Sequence, residues 1–256
     1  MKITMIGAGN VATHMTQALS DAGHTILQVW SRTPAHAAAL AERVGAAPVT
    51  RLSDIFPHAG LYLFSVKDDA LSEVIDRMPA TDGVWAHTAG SLPMELFSVR
   101  KNHYGVLYPL QTFSRQRGLS FAGIPLFIEG SNPETIAVLE EVASTLSGSV
   151  YRMPDEKRKK LHLAAVFACN FVNHLYALSA ELIRQEDIPF EVLLPLITET
   201  AAKVKEMAPM EAQTGPAVRN DKTVMRQQME WIDDLHIREL YRLLSESIVR
   251  LTKSND

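Results

Sequence analysis

Lys2-Ile3-Thr4-Met5-Ile6-Gly7-Ala8-Gly9-Asn10-Val11-Ala12-Thr13-His14-Met15 is the stretch that decides how the rest of the chain is read. A short apolar strand runs into Gly7-x-Gly9-x-x-Ala12 and then into a helix-forming segment. This is the order a dinucleotide-binding turn needs. Gly7 permits the tight turn, Gly9 lets main chain approach a pyrophosphate, and the small Ala12 lets helix and strand pack closely. Main-chain amides of Ala8, Asn10 and Val11 then face the phosphates at a helix N-terminus, where the helix dipole favours negative charge.

Outward from this turn, the second apolar run ends Val29-Trp30-Ser31-Arg32-Thr33. An NAD-binding turn places a carboxylate about 20 residues beyond the glycines to hold the ribose hydroxyls. Here there is none. Arg32 can pair with a 2′-phosphate, and Ser31 and Thr33 can donate hydrogen bonds to it. The cofactor reading is therefore NADP, against the plainer one in which Arg32 decorates an exposed strand end. Ser65-Val66-Lys67 closes the third run and is placed beside the nicotinamide. The fourth closes with His87-Thr88-Ala89-Gly90-Ser91. His87 is either a wall residue and proton donor or a strand-end histidine satisfied by main chain, and Ser91 is a candidate substrate contact.

The first 152 residues alternate apolar runs with helical segments, the mark of an α/β, doubly wound, mostly parallel sheet. Strands are expected at 2–6, 25–30, 61–65, 83–87, 105–108, 125–129 and 149–152, and helices at 10–22, 34–44, 70–77, 94–101 and 133–146. Ser131-Asn132-Pro133-Glu134 reads as a capping box. Residues 153–256 form an all-α second domain, with helices near 155–185, 190–208, 216–231 and 233–253. The basic run Lys157-Arg158-Lys159-Lys160 reads as a solvated helix face.

In the long helix, His162, Asn170, Asn173 and His174 interrupt an otherwise apolar sequence that should be buried nearly all round. At ~100° per residue they share an arc of about 120°. The shared stripe is either an internal hydrogen-bond network or one wall of a substrate cleft. Two histidines twelve residues apart, with no evident third ligand, give no metal site. Glu199, Thr200 and Lys203 read as a solvated face. Pro216 suits a first helical position, leaving amides near Thr214 and Gly215 that, with Arg219, fit an anion or an ordinary turn.

The chain has 256 residues, a net charge of −4, 46% hydrophobic and 21% charged residues. That balance gives no overall field for nucleic acid. The one cysteine, Cys169, excludes an intramolecular disulfide framework and reads as a buried thiol. No apolar run is read as membrane-spanning and no cleavable signal is recognised, so no membrane partner and a cytoplasmic location are expected.

Gly-Ala-Gly-Asn-Val-Ala, His87-Thr88-Ala89-Gly90-Ser91, Tyr108-Pro109-Leu110-Gln111-Thr112-Phe113-Ser114 and Thr214-Gly215-Pro216-Ala217 form a specific series. Over essentially its whole length the chain resembles a bacterial family of Rossmann-like NADP oxidoreductases with a helical C-terminal domain of unknown function. More distantly it is similar to pyrroline-5-carboxylate reductase, ketopantoate reductase and the 6-phosphogluconate dehydrogenase group. The resemblance implies a helical domain that forms a homodimer and an active cleft between the domains. Hydroxyacid members carry a lysine one turn before the helix asparagine. Here Val166 stands one turn before Asn170, which argues against that mechanism.

The expected function is hydride transfer between NADPH and a small polar carbonyl, imine or hydroxy substrate, with His87, Asn170, His162, Asn173 and His174 as orienting and proton-donating groups. The alternatives are a non-catalytic NADP-binding redox sensor and a reductase that uses a deazaflavin partner.

Overall fold

The computed structural model describes residues Met1–Lys253. The chain winds through β1 (Lys2–Ile6), α1 (Asn10–Asp21), β2 (Thr25–Trp30), α2 (Pro34–Val44), β3 (Ala47–Val49), β4 (Leu61–Phe64), α3 (Asp68–Arg77), β5 (Val84–His87), β6 (Tyr104–Pro109), β7 (Leu126–Gly130), α4 (Pro133–Leu146) and β8 (Val150–Arg152). One eight-stranded sheet results, ordered β3-β2-β1-β4-β5-β6-β7-β8. All neighbours are parallel except β6 and β7. Strand order reverses between β1 and β4, so the crevice that binds ligands in such sheets opens beyond Ile6 and Phe64.

Alternation along each strand divides the core into two layers. Ile3, Met5, Leu61 and Leu63 pack with Ala12, Met15 and Leu19 of α1 and Leu139 and Val142 of α4. Ile6, Tyr62, Phe64 and Trp85 pack with Leu71, Val74 and Ile75 of α3 and with Phe97. Burial of both faces explains why these strands read as nearly continuous apolar runs.

Several elements differ from their sequence reading. The three-residue β3 was not recognised, because Ala47-Pro48-Val49 is too short to show a period. Residues 94–101 contain only a 3₁₀ turn, Met94–Phe97, and no α-helix. The α4 cap is Asn132, whose side chain accepts from the Thr135 amide at 2.9 Å, so Ser131 is not the capping residue.

Contacts divide the chain into two compact units, Met1–Cys169 and the remainder from Asn170. The chain enters the second unit along one continuous helix: α5 (Asp155–Ala165), a π-helical stretch Val166–Phe171, and α6 (Val172–Arg184). A π turn takes up one extra residue and sets everything beyond it back by about one step of ~100°. The angular order of His162 against Asn173 and His174 is therefore not that of a uniform helix. This helix contains an 18-residue window of mean hydropathy 1.4, long and apolar enough by length and composition alone to match a membrane span. Contrary to the sequence expectation, it is not buried in the chain by itself: Leu163, Phe167 and Phe171 are exposed. Cys169 is half-buried, not sealed.

The second unit continues through α7 (Leu194–Lys203), α8 (Pro209–Ala212), α9 (Lys222–Glu230) and α10 (Leu235–Lys253). Pro216 lies in a turn, not at a helix start. The following helix begins only at Lys222, where Asp221 caps it by accepting from the Val224 amide. The free helical amides expected at 214–217 are therefore absent. Among the described residues of this unit, only Ala217 and Ile232 are buried.

Candidate active site at the carboxyl ends of the strands

The glycine-rich turn is dictated by space. Gly7 has φ +129°, and a Cβ there would lie 2.1 Å from the Ser65 carbonyl oxygen, so no other residue fits without moving β4. The Gly7 amide donates to Trp30 O and the Ser65 amide to Ile6 O, both at 2.8 Å, fixing the turn between β2 and β4. Gly9 is the reverse case. A Cβ there would meet nothing within 4 Å, because its side-chain direction opens into a cavity. No side chain caps α1 and no acidic residue stands in its first turn, so its leading amides are left for an anion. The start of α2 is likewise uncapped and free of carboxylates. These features fit a dinucleotide with phosphates at both helix starts.

The cavity beyond the strand ends is about 670 Å³, within the usual range of ligand sites, roughly 300–1,000 Å³. Gly7, Ala8, Gly9, Asn10 and Val11 line it at the turn. Ser31, Arg32 and Thr33 line it after β2, and Ser65, Val66 and Lys67 after β4. Ala12 stands behind the turn, fully buried in the core. The Ser31 hydroxyl accepts from the Thr33 amide at 3.2 Å, which shapes the β2 exit. Thr88 donates to Ser65 Oγ at 3.1 Å, tying the exits of β5 and β4 together.

His87, Ser91 and His162 also line the cavity. Ser91 donates to Asp68 at the start of α3. His87 is sealed from solvent, with Nδ1 accepting from the Ala89 amide at 3.2 Å. Its proton therefore sits on Nε2, which is buried and has no hydrogen-bond partner among the described residues. Burial, reinforced by the nearby Arg158 charge, pushes its pKa down to about 3. At neutral pH His87 can offer an N–H hydrogen bond but carries no charge.

His162 meets a partner absent from the sequence candidates. Its Nδ1 lies 3.0 Å from the Tyr108 hydroxyl, with the rings edge to face. Burial pushes the Tyr108 pKa up to about 12, keeping the phenol protonated. Gly90 makes the pair possible: a Cβ there would lie 2.6 Å from His162 Nδ1 and 2.8 Å from Tyr108 Cζ. The β5 exit, the end of β6 and the first turns of α5 thus meet at one point.

Arg158 was also missed, because a four-residue basic run reads as solvated. It is fully buried. It pairs with Glu129 of β7 and Asp155 of α5, each at 2.7 Å, and donates to the Leu92 carbonyl. The remaining candidates belong to the second unit. Asn170, Asn173 and His174 are exposed on the long helix, and Thr214, Gly215 and Arg219 lie in the turn before α9.

Two family models match the chain. One, described as NADP oxidoreductase coenzyme F420-dependent, covers residues 2–86; the other, a domain of unknown function (DUF2520), covers residues 124–248. No curated protein matches the sequence. Among solved structures, the protein from Bacteroides fragilis provisionally designated NADP oxidoreductase BF3122 is 48% identical. That match covers 97% of this chain and 98% of the other, with a TM-score of 0.91. A reductive aminase from Aspergillus terreus, solved with NADPH and ethyl levulinate, is 20% identical over 97% and 93% of the two chains, TM-score 0.71. A 1-pyrroline-5-carboxylate reductase from Streptococcus pyogenes is 14% identical over 99% and 98%, TM-score 0.65. The last two share the fold.

Proposed function

Because the chain belongs to the NADP oxidoreductase family that joins this nucleotide-binding domain to DUF2520, we propose that it reduces a small polar carbonyl or imine compound, or oxidises the matching alcohol or amine. The glycine turn and first turn of α1 hold the pyrophosphate. Ser31, Arg32 and Thr33 hold the 2′-phosphate, and Ser65, Val66 and Lys67 flank the nicotinamide. NADPH, when bound, supplies the hydride. The work left to the protein is to orient the acceptor carbon and protonate its oxygen or nitrogen.

The observation that carries this reading is the Tyr108–His162 pair on the wall of the same cavity. The protonated phenol can donate to Nδ1, and in that tautomer the imidazole proton sits on Nε2. In the transfer the Nε2 proton passes to the substrate heteroatom as the Tyr108 hydroxyl proton moves onto Nδ1, and solvent reprotonates the tyrosinate. Ser91, whose own proton is held by Asp68, accepts a hydrogen bond from the substrate, and His87, with Nε2 sealed off, supports the wall from behind. The reductive aminase and pyrroline-carboxylate reductase folds make imines the first class to try.

Asn170, Asn173, His174, Thr214, Gly215 and Arg219 remain proposed substrate contacts of the helical unit. We also assign that unit a second copy of the chain as partner, since two buried residues make no core for a helical bundle.

The test is a panel of cyclic imines, ketoacids and hydroxyacids with NADPH or NADP. His162→Gln should lower kcat ~10²–10⁴-fold, the usual contribution of a positioned acid, with NADPH affinity unchanged. NADPH binding without turnover of any compound would favour the sensor reading. The matched domain's description also names coenzyme F420, so that deazaflavin belongs in the panel; hydride exchange with it alone would replace the carbonyl and imine reading.

A further inference from the structure

The antiparallel pair β6 and β7 is not joined by a tight turn. Residues 110–125 instead cross the sheet end and pass over the start of α1. Three bonds from side chain to main chain fasten this strap. Asn10 Nδ2 donates to Phe113 O at 2.9 Å, His14 Nε2 meets Ser114 O at 3.0 Å, and the Arg115 guanidinium donates to Ala8 O. Phe113 packs against His14 and Phe121, with ring centroids 5.4 and 5.9 Å apart, and Phe121 and Ile124 are buried in the core. The strap is thus anchored on both sides of Arg115.

Arg115 is in an unusual electrostatic position. Its hydrogen-bond acceptor is a neutral main-chain carbonyl inside the glycine turn, and among the described residues no carboxylate forms an ion pair with it. It lines the main cavity beside the uncapped first turn of α1. A guanidinium has five N–H donors in a fixed fork, so one can stay on Ala8 O while others reach phosphate oxygens bidentately. An unpaired cation held against an uncapped helix start lacks only its anion.

We propose that Arg115 is a ligand of the dinucleotide pyrophosphate, delivered across the glycine turn by the β6–β7 strap. This rests on the NADP-binding reading of the cavity but not on any substrate. It differs from the task of Arg32, which faces the 2′-phosphate. A pyrophosphate ligand serves NADPH and NADH alike, whereas a 2′-phosphate ligand serves only NADPH.

The experiment is titration of the full-length protein with NADPH and with NADH, by nicotinamide fluorescence or calorimetry, for wild type, Arg115→Met and Arg32→Met. Arg115→Met should raise Kd for both cofactors by a similar factor, ~10–100-fold, the range for losing charge-assisted hydrogen bonds. Arg32→Met should weaken NADPH alone. Arg115 is exposed and the strap keeps its Asn10 and His14 bonds and its Phe121 and Ile124 anchors, so the melting temperature without cofactor should fall only slightly; Arg115→Lys, which keeps the charge but loses the fork, should fall between in cofactor affinity. Unchanged affinity in Arg115→Met overturns the proposal, as does a loss confined to NADPH. Wild-type protein that binds neither cofactor would overturn the nucleotide reading itself, while binding without turnover would leave Arg115 in place and remove only the substrate assignment.

Discussion

Gly90 shows how a missing side chain can set a site. The Tyr108–His162 contact exists because nothing but hydrogen projects from that α-carbon. Gly90→Ala should push the pair apart and lower kcat ~10²-fold, as small misplacements at reacting groups do, while NADPH titration stays near wild type. His87 gives a second prediction. Its pKa is about 3 folded against 6.5 unfolded, so between these values the unfolded chain binds more protons and stability falls as pH drops. Melting temperature should decline from pH 6.5 toward 3, and His87→Gln should flatten that slope; an unaltered slope would mean the imidazole is not held neutral. His87 and His162 were legible in the sequence as polar interruptions of apolar runs. Tyr108 was not, because an aromatic residue in a strand reads as core until its hydroxyl partner, 54 residues away, is brought beside it.

Arg158 belongs to the scale of elements. It links β7 through Glu129, the start of α5 through Asp155, and the segment after β5 through Leu92. Arg158→Met leaves Glu129 facing an apolar side chain, while Asp155 keeps Lys159 at 2.6 Å, and such a broken buried pair costs ~3–5 kcal/mol. Chemical denaturation should show that loss; a change within experimental error would mean water reaches the carboxylates freely. Periodicity and turn residues located seven of the eight strands and the helices α1, α2, α3 and α4, because these elements carry their signals locally. The role of Arg158 was hidden because its main partner is non-local and its neighbours Lys157 and Lys160 are exposed. The π stretch was hidden for a related reason. Val166-Phe167-Ala168-Cys169-Asn170-Phe171 satisfies helical propensity equally well with one hydrogen-bond register or the other.

For the whole molecule, the contrast between the two units matters most. The first has a two-layer core on both faces of its sheet. The second exposes Leu182, Val192, Leu194, Leu196, Val204 and Leu251, among others. With a second copy covering these faces, sedimentation or light scattering should report a dimer; a stable monomer at micromolar concentration would remove that assignment. Apolar periodicity announced the helices, but no sequence pattern says whether an apolar face is covered by its own chain or by another. Under the proposed dimer, a helical half that shelters almost nothing alone ties integrity to abundance. Dilution would loosen it, richer expression would protect it, and thermal tolerance would climb with the amount of protein in the tube.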